Sequence, residues 1–288
     1  MEYFLLTLAT AASATKALVC RSLGTRATAK RRVLQDNAFI FLFSALAVLV
    51  ASAFLGGLSF SYQTVLIGVG FAASLLFTQL MQMIAMGRGP ASVTTLIYSY
   101  GFIVPIVYSA IALGEEISVM QYVGIGLSAV SLFFIVSPQM DRRASLGWLL
   151  VAMLSALGSG INAVIQKLHR AVAPEGEITS LLLVSFTLAA LFSFGFSLLA
   201  KEEHFCDGGI AKRLGFVAFS GGAIGGLNIL NLIIAGKLPA VVQFPIYNIG
   251  SLIIVGLVAG FVYEDRVSIK QLIGFVIGTM SVLTIGLL

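Results

Sequence analysis

The sequence contains little charge and few cysteines, prolines and histidines. Only 10% of its 288 residues are Asp, Glu, Lys or Arg, and it has two cysteines, six prolines and two histidines. So few charged residues cannot cover the surface of a water-soluble protein of this length. The two cysteines, Cys20 and Cys206, are too few and too far apart for a disulfide framework or a cysteine-rich metal site. Composition therefore excludes a soluble enzyme, a disulfide-rich scaffold and a zinc-binding module.

Apolar residues dominate what remains. They make up 59% of the chain, and the mean hydropathy is +1.04. Apolar runs long enough to cross a bilayer recur between short polar breaks, and because lipid cannot satisfy backbone polar groups, such runs must be helical. We predict an all-α membrane protein with ten transmembrane helices at residues 3–20, 38–56, 63–86, 90–113, 119–137, 146–168, 178–199, 214–235, 239–262 and 269–287. The first segment has no basic start, so we expect it to be retained rather than cleaved as a signal peptide.

The sequence also repeats itself at a displacement of 149 residues. Identical residues at this displacement are Gly87 and Gly236, Pro90 and Pro239, Ala91 and Ala240, Val93 and Val242, Ile97 and Ile246, Tyr98 and Tyr247, Gly101 and Gly250, Ala110 and Ala259, and Glu115 and Glu264. After Glu115 the displacement becomes 150, which aligns Ser118, Gln121, Gly124 and Ser131 with Ser268, Gln271, Gly274 and Ser281. Five predicted helices lie between equivalent points, an odd number. The sequence therefore predicts two inverted five-helix repeats, residues 1–140 and 141–288, an arrangement suited to alternating access.

Several short motifs resemble those of a known family. A Gly-to-Pro turn opens the fourth helix of each half ("GRGPASV", "GKLPAVV"), an acidic turn closes it ("LGEEIS", "VYEDRVS"), and a Gly-rich last helix follows ("GIGLSAVSL", "GFVIGTMSV"). Together with ten helices in two halves, these motifs resemble the drug/metabolite transporter superfamily, EamA type. The resemblance implies a multi-pass carrier whose central cavity is lined mainly by the third, fourth, eighth and ninth helices.

Lysine and arginine are distributed unevenly between the two sets of loops. Loops after odd-numbered predicted helices contain thirteen of them, whereas loops after even-numbered helices contain two, Arg170 and Lys237. The positive-inside rule therefore predicts that both termini lie outside the cell, in a plasma or bacterial inner membrane. The family resemblance implies the reverse, with both termini cytoplasmic, and the two interpretations stay open here.

Polar amides deep within the apolar segments are candidates for a substrate cavity. Gln79 and Gln82 match Asn228 and Asn231 at the displacement of 149. Each pair is three residues apart and shares one helical face, which either lines a cavity between the repeats or bonds neighbouring helices. On the fourth and ninth helices the cavity candidates are Tyr98, Ser99, Gln243, Tyr247 and Asn248. A tyrosine there offers a ring for stacking and a hydroxyl for bonding, with core packing as the alternative.

Two lysines and two prolines also lie within the predicted spans. Lys16 and Lys167 occupy matching places in the first helix of each half. Either their long side chains reach the membrane interface, or they bind the carboxylate or phosphate of an anionic substrate. Pro105 and Pro245 each remove one backbone hydrogen bond, which makes Gly101, Pro105 and Pro245 hinge candidates, with simple helix curvature as the alternative.

The acidic residues are all predicted in termini, loops or helix ends, so we expect no carboxylate at a helix centre to serve as a proton or cation site. Glu115 and Glu264 mark equivalent ends of the two halves. We predict that each caps the helix that follows it, since negative charge is favourable at a helix N-terminus. A gate or a coupling site is the alternative. Small residues four apart, such as Gly124 with Ser128 and Gly274 with Gly278, predict close helix packing.

These features predict a secondary transporter that moves a small organic metabolite across the membrane by alternating access around a central cavity. A lipid flippase or scramblase shares such a fold and is the alternative. An enzyme would need a nucleophile with a base or clustered metal ligands, and the two histidines, His169 and His204, are predicted in loops on opposite sides of the bilayer. We therefore expect a metabolite and the bilayer as partners, with no enzyme activity, no cofactor, no metal and no nucleic acid. A homodimer stays open.

Overall fold

A computed structural model describes residues 2–24, 30–88, 91–135, 146–173, 176–200, 210–262 and 269–287. Its helices are α1 (Glu2–Gly24), α2 (Lys30–Ser52), α3 (Tyr62–Arg88), α4 (Ala91–Ser99), α5 (Ile103–Ala112), α6 (Val119–Ile135), α7 (Leu146–Val172), α8 (Ile178–Leu199), α9 (Ile210–Ala235), α10 (Ala240–Val262) and α11 (Ile269–Leu287). A 3₁₀ turn at Tyr100–Phe102 joins α4 to α5, and the described ranges contain no strand.

Each of the ten segments that hydropathy predicts contains a helix among its described residues. That all ten cross the membrane stays a prediction. Within the part of the chain that the structure describes, five stretches are long and apolar enough to cross a membrane: Arg31–Ser52, Tyr62–Arg88, Leu146–Val172, Ile178–Leu199 and Arg213–Ala235. The outer surface is apolar as lipid contact requires, with Leu191, Phe192 and Phe219 all exposed. The chain is thus an all-α membrane protein.

The second helix begins and ends earlier than predicted, at Lys30–Ser52 instead of 38–56. Its C-terminus is set by two glycines with positive φ, Gly56 (98°) and Gly57 (85°), because this backbone conformation cannot continue a helix. The Gly57 N–H then donates to Ser52 O at 2.8 Å and closes the turn. At the other end the polar start of α2 is also helical, and Asp36 there pairs with Arg213 of α9 at 2.7 Å.

The fourth predicted helix is interrupted at the 3₁₀ turn between α4 and α5. Pro105 has no N–H to donate to Gly101 O, so the backbone tightens just before it. The same turn lies against α7, since a Cβ on Gly160 would be 2.7 Å from Gly101 O and 2.6 Å from the Cβ of Val104. In contrast, α10 continues through Pro245 without a break. A hinge at Gly101, Pro105 or Pro245 stays a prediction.

The main apolar core joins α2, α3, α8 and α9. At its centre Phe41 and Phe186 stack with ring centroids 6.2 Å apart, and Phe71 is fully buried beside them. Serine hydroxyls form hydrogen bonds between helices of the first and second halves. Ser44 Oγ of α2 donates to Gly221 O of α9 at 2.8 Å, and Ser185 Oγ of α8 donates to Gly68 O of α3 at 3.1 Å.

Helices α6 and α11 pack against each other through the small residues that the sequence predicts as packing positions. Ser131 Oγ donates to Gly274 O and Ser281 Oγ donates to Gly124 O, both at 2.7 Å. Because the later serine of each helix meets the earlier glycine of the other, the two helices are antiparallel. The two bonds also join residues that are equivalent at the displacement of 150.

Glu177, in the turn before α8, holds the loop between α2 and α3. Its carboxylate accepts hydrogen bonds from Ser61 N–H at 3.1 Å, Ser61 Oγ at 2.7 Å and Ser59 Oγ at 3.4 Å. Ser59 N–H also donates to Ser180 Oγ at 3.1 Å. Hydrogen bonds from Thr64 and Ser61 hold the pKa of Glu177 below the usual glutamate value, because they favour the charged form.

This arrangement predicts a pH dependence of stability. A carboxyl whose pKa is lower in the folded state contributes stability above its unfolded pKa and loses it as the pH falls through the folded value. The thermal midpoint of the wild type should therefore fall more steeply between about pH 5 and about pH 3 than that of Glu177→Gln. Fluorescence of Trp148, the single tryptophan, reports the transition. Glu116→Gln, at an exposed glutamate, is the matched control and should behave like the wild type. The prediction would be refuted if the wild type and Glu177→Gln lost thermal stability equally steeply as the pH falls.

Candidate functional site

A cavity of about 50 Å³ lies among α1, α2, α3, α4, α7, α9, α10 and the turn between α4 and α5. This volume holds a few water-sized groups, so a larger solute needs its walls to move. The wall is mixed, with apolar side chains such as Phe41, Leu75, Phe102 and Phe244 beside many polar ones. The polar lining consists of Lys16, Thr78, Gln79, Tyr98, Ser159, Asn162, Gln166, Asn228, Asn231, Tyr247 and Asn248. No carboxylate lines it among the described residues.

The structure brings together six of the nine predicted cavity residues: Gln79, Tyr98, Asn228, Asn231, Tyr247 and Asn248. The other three lie outside the lining. Gln82 is buried away from it, Ser99 Oγ donates back to Thr95 O at 3.0 Å, and Gln243 Nε2 donates to Asn231 O at 3.0 Å. These contacts fit the alternative of bonding within and between helices. That the cavity binds substrate stays a prediction.

Sequence reasoning missed the contribution of α7. Ser159, Asn162 and Gln166 line the cavity from this helix. The first helix of the first half, α1, has no residues that match them. The search for repeats therefore passed over them. Their spacing of three and four residues places them on one helical face within an apolar span, and that pattern alone was a usable signal.

The two lysines have different environments. Lys16 lines the cavity, with Nζ 3.2 Å from Tyr98 Oη and 5.2 Å from the centre of that ring. Lys167 lies outside the cavity lining. Its side chain is 5% exposed, and Nζ pairs with Glu115 Oε1 at 2.8 Å and donates to Leu238 O at 2.8 Å. This ammonium therefore has two partners from the protein itself, a carboxylate in the loop after α5 and a backbone carbonyl. That Lys167 reaches the membrane interface or binds an anionic substrate stays a prediction.

The second oxygen of Glu115 caps a helix, but not the predicted one. Oε2 accepts the N–H of Ala240, the first residue of α10, at 2.7 Å. The helix that follows Glu115, α6, is capped by its own residues, since Ser118 N–H donates to Gln121 Oε1 at 3.0 Å and Gln121 N–H donates to Ser118 Oγ at 3.2 Å. Glu115, Lys167, Leu238 and Ala240 form what we call the Glu115 network. Glu264 lies outside the described residues.

His169 is also placed differently from the prediction. It belongs to the last turn of α7, because that helix continues to Val172, and it is 1% exposed instead of lying in a loop. Its Nε2 is 3.0 Å from Thr64 Oγ1. Within the described ranges, no group of three or more His, Cys, Asp or Glu side chains is arranged to hold a metal ion. His204 and Cys206 lie outside these ranges.

Comparison with known proteins identifies the fold but not a family. No protein-family model matches the sequence, and no curated protein matches it either. Among solved structures 29 chains match. One, described only as "Crystal structure of protein", superposes with a TM-score of 0.75 over 99% of this chain and 96% of its own, at 14% sequence identity. At this identity the likeness shows the shared fold alone.

Proposed function

We propose that the chain is a secondary transporter of the drug/metabolite transporter superfamily, EamA type, with ten transmembrane helices in two inverted repeats. It moves a small organic metabolite by alternating access around the central cavity. The observation that carries the proposal is the cavity itself. A polar cavity inside an apolar bundle costs stability, and binding of a solute is a reason for a membrane protein to keep it. Its polar wall comes from both halves of the chain, with Gln79 and Tyr98 in the first and Asn228 and Tyr247 in the second.

Reciprocal contacts support the inverted arrangement. The bonds of Ser131 to Gly274 O and of Ser281 to Gly124 O exchange under the internal displacement, and the helices that they join are antiparallel. An inverted repeat with its axis in the membrane plane relates two helices in this way. The bonds from Ser44 and Ser185 follow the same logic, since each joins the second helix of one half to the third helix of the other.

The Glu115 network is a candidate gate at one end of the cavity. It joins a loop of the first half, which carries Glu115, to Lys167 and Ala240 of the second half. Lys167 directly follows the cavity-lining Gln166, so the network lies next to the cavity wall. Separation of the two halves at this end requires the ion pair to break. We propose that this step opens the cavity to one side of the membrane.

Cysteine accessibility tests alternating access directly. In a chain whose Cys20 and Cys206 are replaced by serine, Ser159→Cys places a thiol on the cavity wall. A small charged methanethiosulfonate should label it from either side of liposomes that contain the protein, and labelling should block uptake. Ser155→Cys is the matched control, because Ser155 lies one turn earlier on α7, buried and outside the cavity lining.

Saturable uptake of a metabolite by the same liposomes, with or without a pH gradient, supports the transporter. Labelling of Ser159→Cys that leaves uptake unchanged refutes the cavity as the transport path. Scrambling of headgroup-labelled lipids without uptake of any soluble metabolite would replace the proposal with the flippase or scramblase.

A further inference from the structure

Two amide side chains on the cavity wall are held in known orientations by their hydrogen-bonded neighbours. Thr78 Oγ1 donates its only proton to Ser74 O at 2.7 Å, so it must accept from Asn162 Nδ2 at 3.1 Å. A backbone carbonyl cannot donate, and it therefore sets the direction of this chain of bonds. The amide nitrogen of Asn162 faces Thr78, and its oxygen Oδ1 is left free of that contact.

The same reasoning applies one turn further along α7. Asn228 Nδ2 donates to Ile224 O at 2.9 Å, which leaves Asn228 Oδ1 to accept from Gln166 Nε2 at 2.9 Å. Gln166 is 3% exposed, and its Oε1 is turned away from Asn228. Each amide is thus oriented by a series of hydrogen bonds that ends at a backbone carbonyl. For Asn162 this is Ser74 O, and for Gln166 it is Ile224 O.

The freed oxygens have no hydrogen-bond partner within the described part of the chain. Asn162 Oδ1 and Gln166 Oε1 are both buried and unpartnered, and so is Asn231 Oδ1 on the α9 side of the cavity. Unpartnered buried acceptors cost free energy, and most native proteins avoid them. These oxygens are closed to water in this structure, so a ligand that brings N–H or O–H donors would satisfy them when the cavity walls move apart.

We propose that Asn162 Oδ1 and Gln166 Oε1 form an acceptor site for the N–H or O–H donors of a polar solute. The two residues are four apart on α7 and therefore lie one above the other on a single helical face. The site takes a solute that has at least two N–H or O–H donors and is neutral, zwitterionic or anionic, because Lys16 lines the same cavity and repels a net cation. This inference names the substrate class of the proposed transporter and rests on that function.

Two matched pairs of probes test the site and distinguish its two donor chemistries. Erythritol and its tetra-O-methyl ether differ in hydroxyl donors, whereas β-alanine and its N,N,N-trimethyl betaine differ in ammonium donors. Titration calorimetry on the purified full chain gives the dissociation constants. We expect at least one donor-bearing probe to bind about tenfold or more tightly than its methylated partner, as two hydrogen bonds require.

Variants separate donor recognition from probe size. Asn162→Leu and Gln166→Met remove the acceptors and should reduce the discrimination within the pair by about threefold to tenfold each. Gln166→Glu keeps an acceptor oxygen but loses the bond to Asn228, so it should retain discrimination. Asn37→Leu is the control, because Asn37 is a fully buried amide with unpartnered atoms that lies outside the cavity lining.

No binding of either donor-bearing probe, or equal binding within both pairs, overturns the acceptor site even where liposomes transport a metabolite. The acceptor site is also overturned if discrimination persists in both Asn162→Leu and Gln166→Met. It is overturned too if Gln166→Glu or Asn37→Leu loses as much discrimination as those two variants. Donor-selective binding in a protein that moves no solute would instead refute the transport proposal and leave the site standing.

Discussion

Glu115→Ala is expected to lower the free energy of unfolding by about 2 to 3 kcal/mol, a large effect for one side chain in a loop. The substitution removes the carboxylate that neutralises Lys167 and leaves that ammonium, 5% exposed, with the Leu238 carbonyl. It also removes the acceptor for the Ala240 N–H at the start of α10. The value is below that for a fully buried pair because Glu115 is 21% exposed.

The double variant Glu115→Ala/Lys167→Met separates the charge from the cap. It carries no unpaired ammonium, so it should be more stable than the sum of the two single effects by about 1 kcal/mol or more. Glu116→Ala, at the exposed neighbouring glutamate, should change stability by no more than about 0.5 kcal/mol. Strictly additive losses, or equal losses in Glu115→Ala and Glu116→Ala, would show that the Glu115 network does not hold the structure together.

The single variant Glu115→Ala also tests the proposed gate. If the ion pair holds one end of the cavity closed, Glu115→Ala should increase the labelling rate of Ser159→Cys from one side of the membrane and not from the other. An equal change on both sides would indicate general loosening of the bundle. The side with the faster reaction would also decide between the two opposite orientations that the charge bias and the family resemblance predict.

Gly160→Ala is expected to destabilise the protein by about 2 kcal/mol and to abolish or greatly reduce uptake. The added Cβ would lie 2.6 Å from the Cβ of Val104 and 2.7 Å from Gly101 O, closer than such atoms approach. Neither a β-branched side chain nor a backbone carbonyl can yield cheaply, so α7 must move away from the turn between α4 and α5. That movement displaces Ser159 and Asn162, which line the cavity.

A second helical glycine provides the matched control. At Gly195 of α8 an added Cβ meets no atom within 4 Å, so Gly195→Ala should leave uptake unchanged and stability equal or slightly higher. Thermal unfolding followed by Trp148 fluorescence and uptake by liposomes measure both effects. Similar results for Gly160→Ala and Gly195→Ala would mean that the contact between α7 and the turn has no special role.

Much of the secondary structure was predictable from hydropathy, because a chain in lipid must satisfy its own backbone and has few alternatives to helices. The ends were less predictable. The second helix stops at Ser52 because Gly56 and Gly57 adopt positive φ, although the apolar composition continues beyond it. His169 was assigned to a loop because hydropathy falls before the helix ends at Val172.

The candidate site was predictable only where the repeat marked it. Gln79 and Asn228 were found because they match each other at the displacement of 149, and both line the cavity. Asn162 and Gln166 were missed because the first half has no equivalent amides. The same criterion also selected Gln82 and Gln243, which lie outside the lining, because a match in sequence does not fix the direction in which a side chain points.

The sequence by itself determined that this chain is an all-helical membrane protein with an internal displacement of 149 residues, since hydropathy and identity are properties of residues in order. Only the tertiary structure decided which polar groups meet. Glu115 caps α10 and pairs with Lys167, 52 positions away in the chain, instead of capping the next helix. Partners of this kind depend on helix packing, because each charge or amide in a bundle bonds to whatever the neighbouring helix presents.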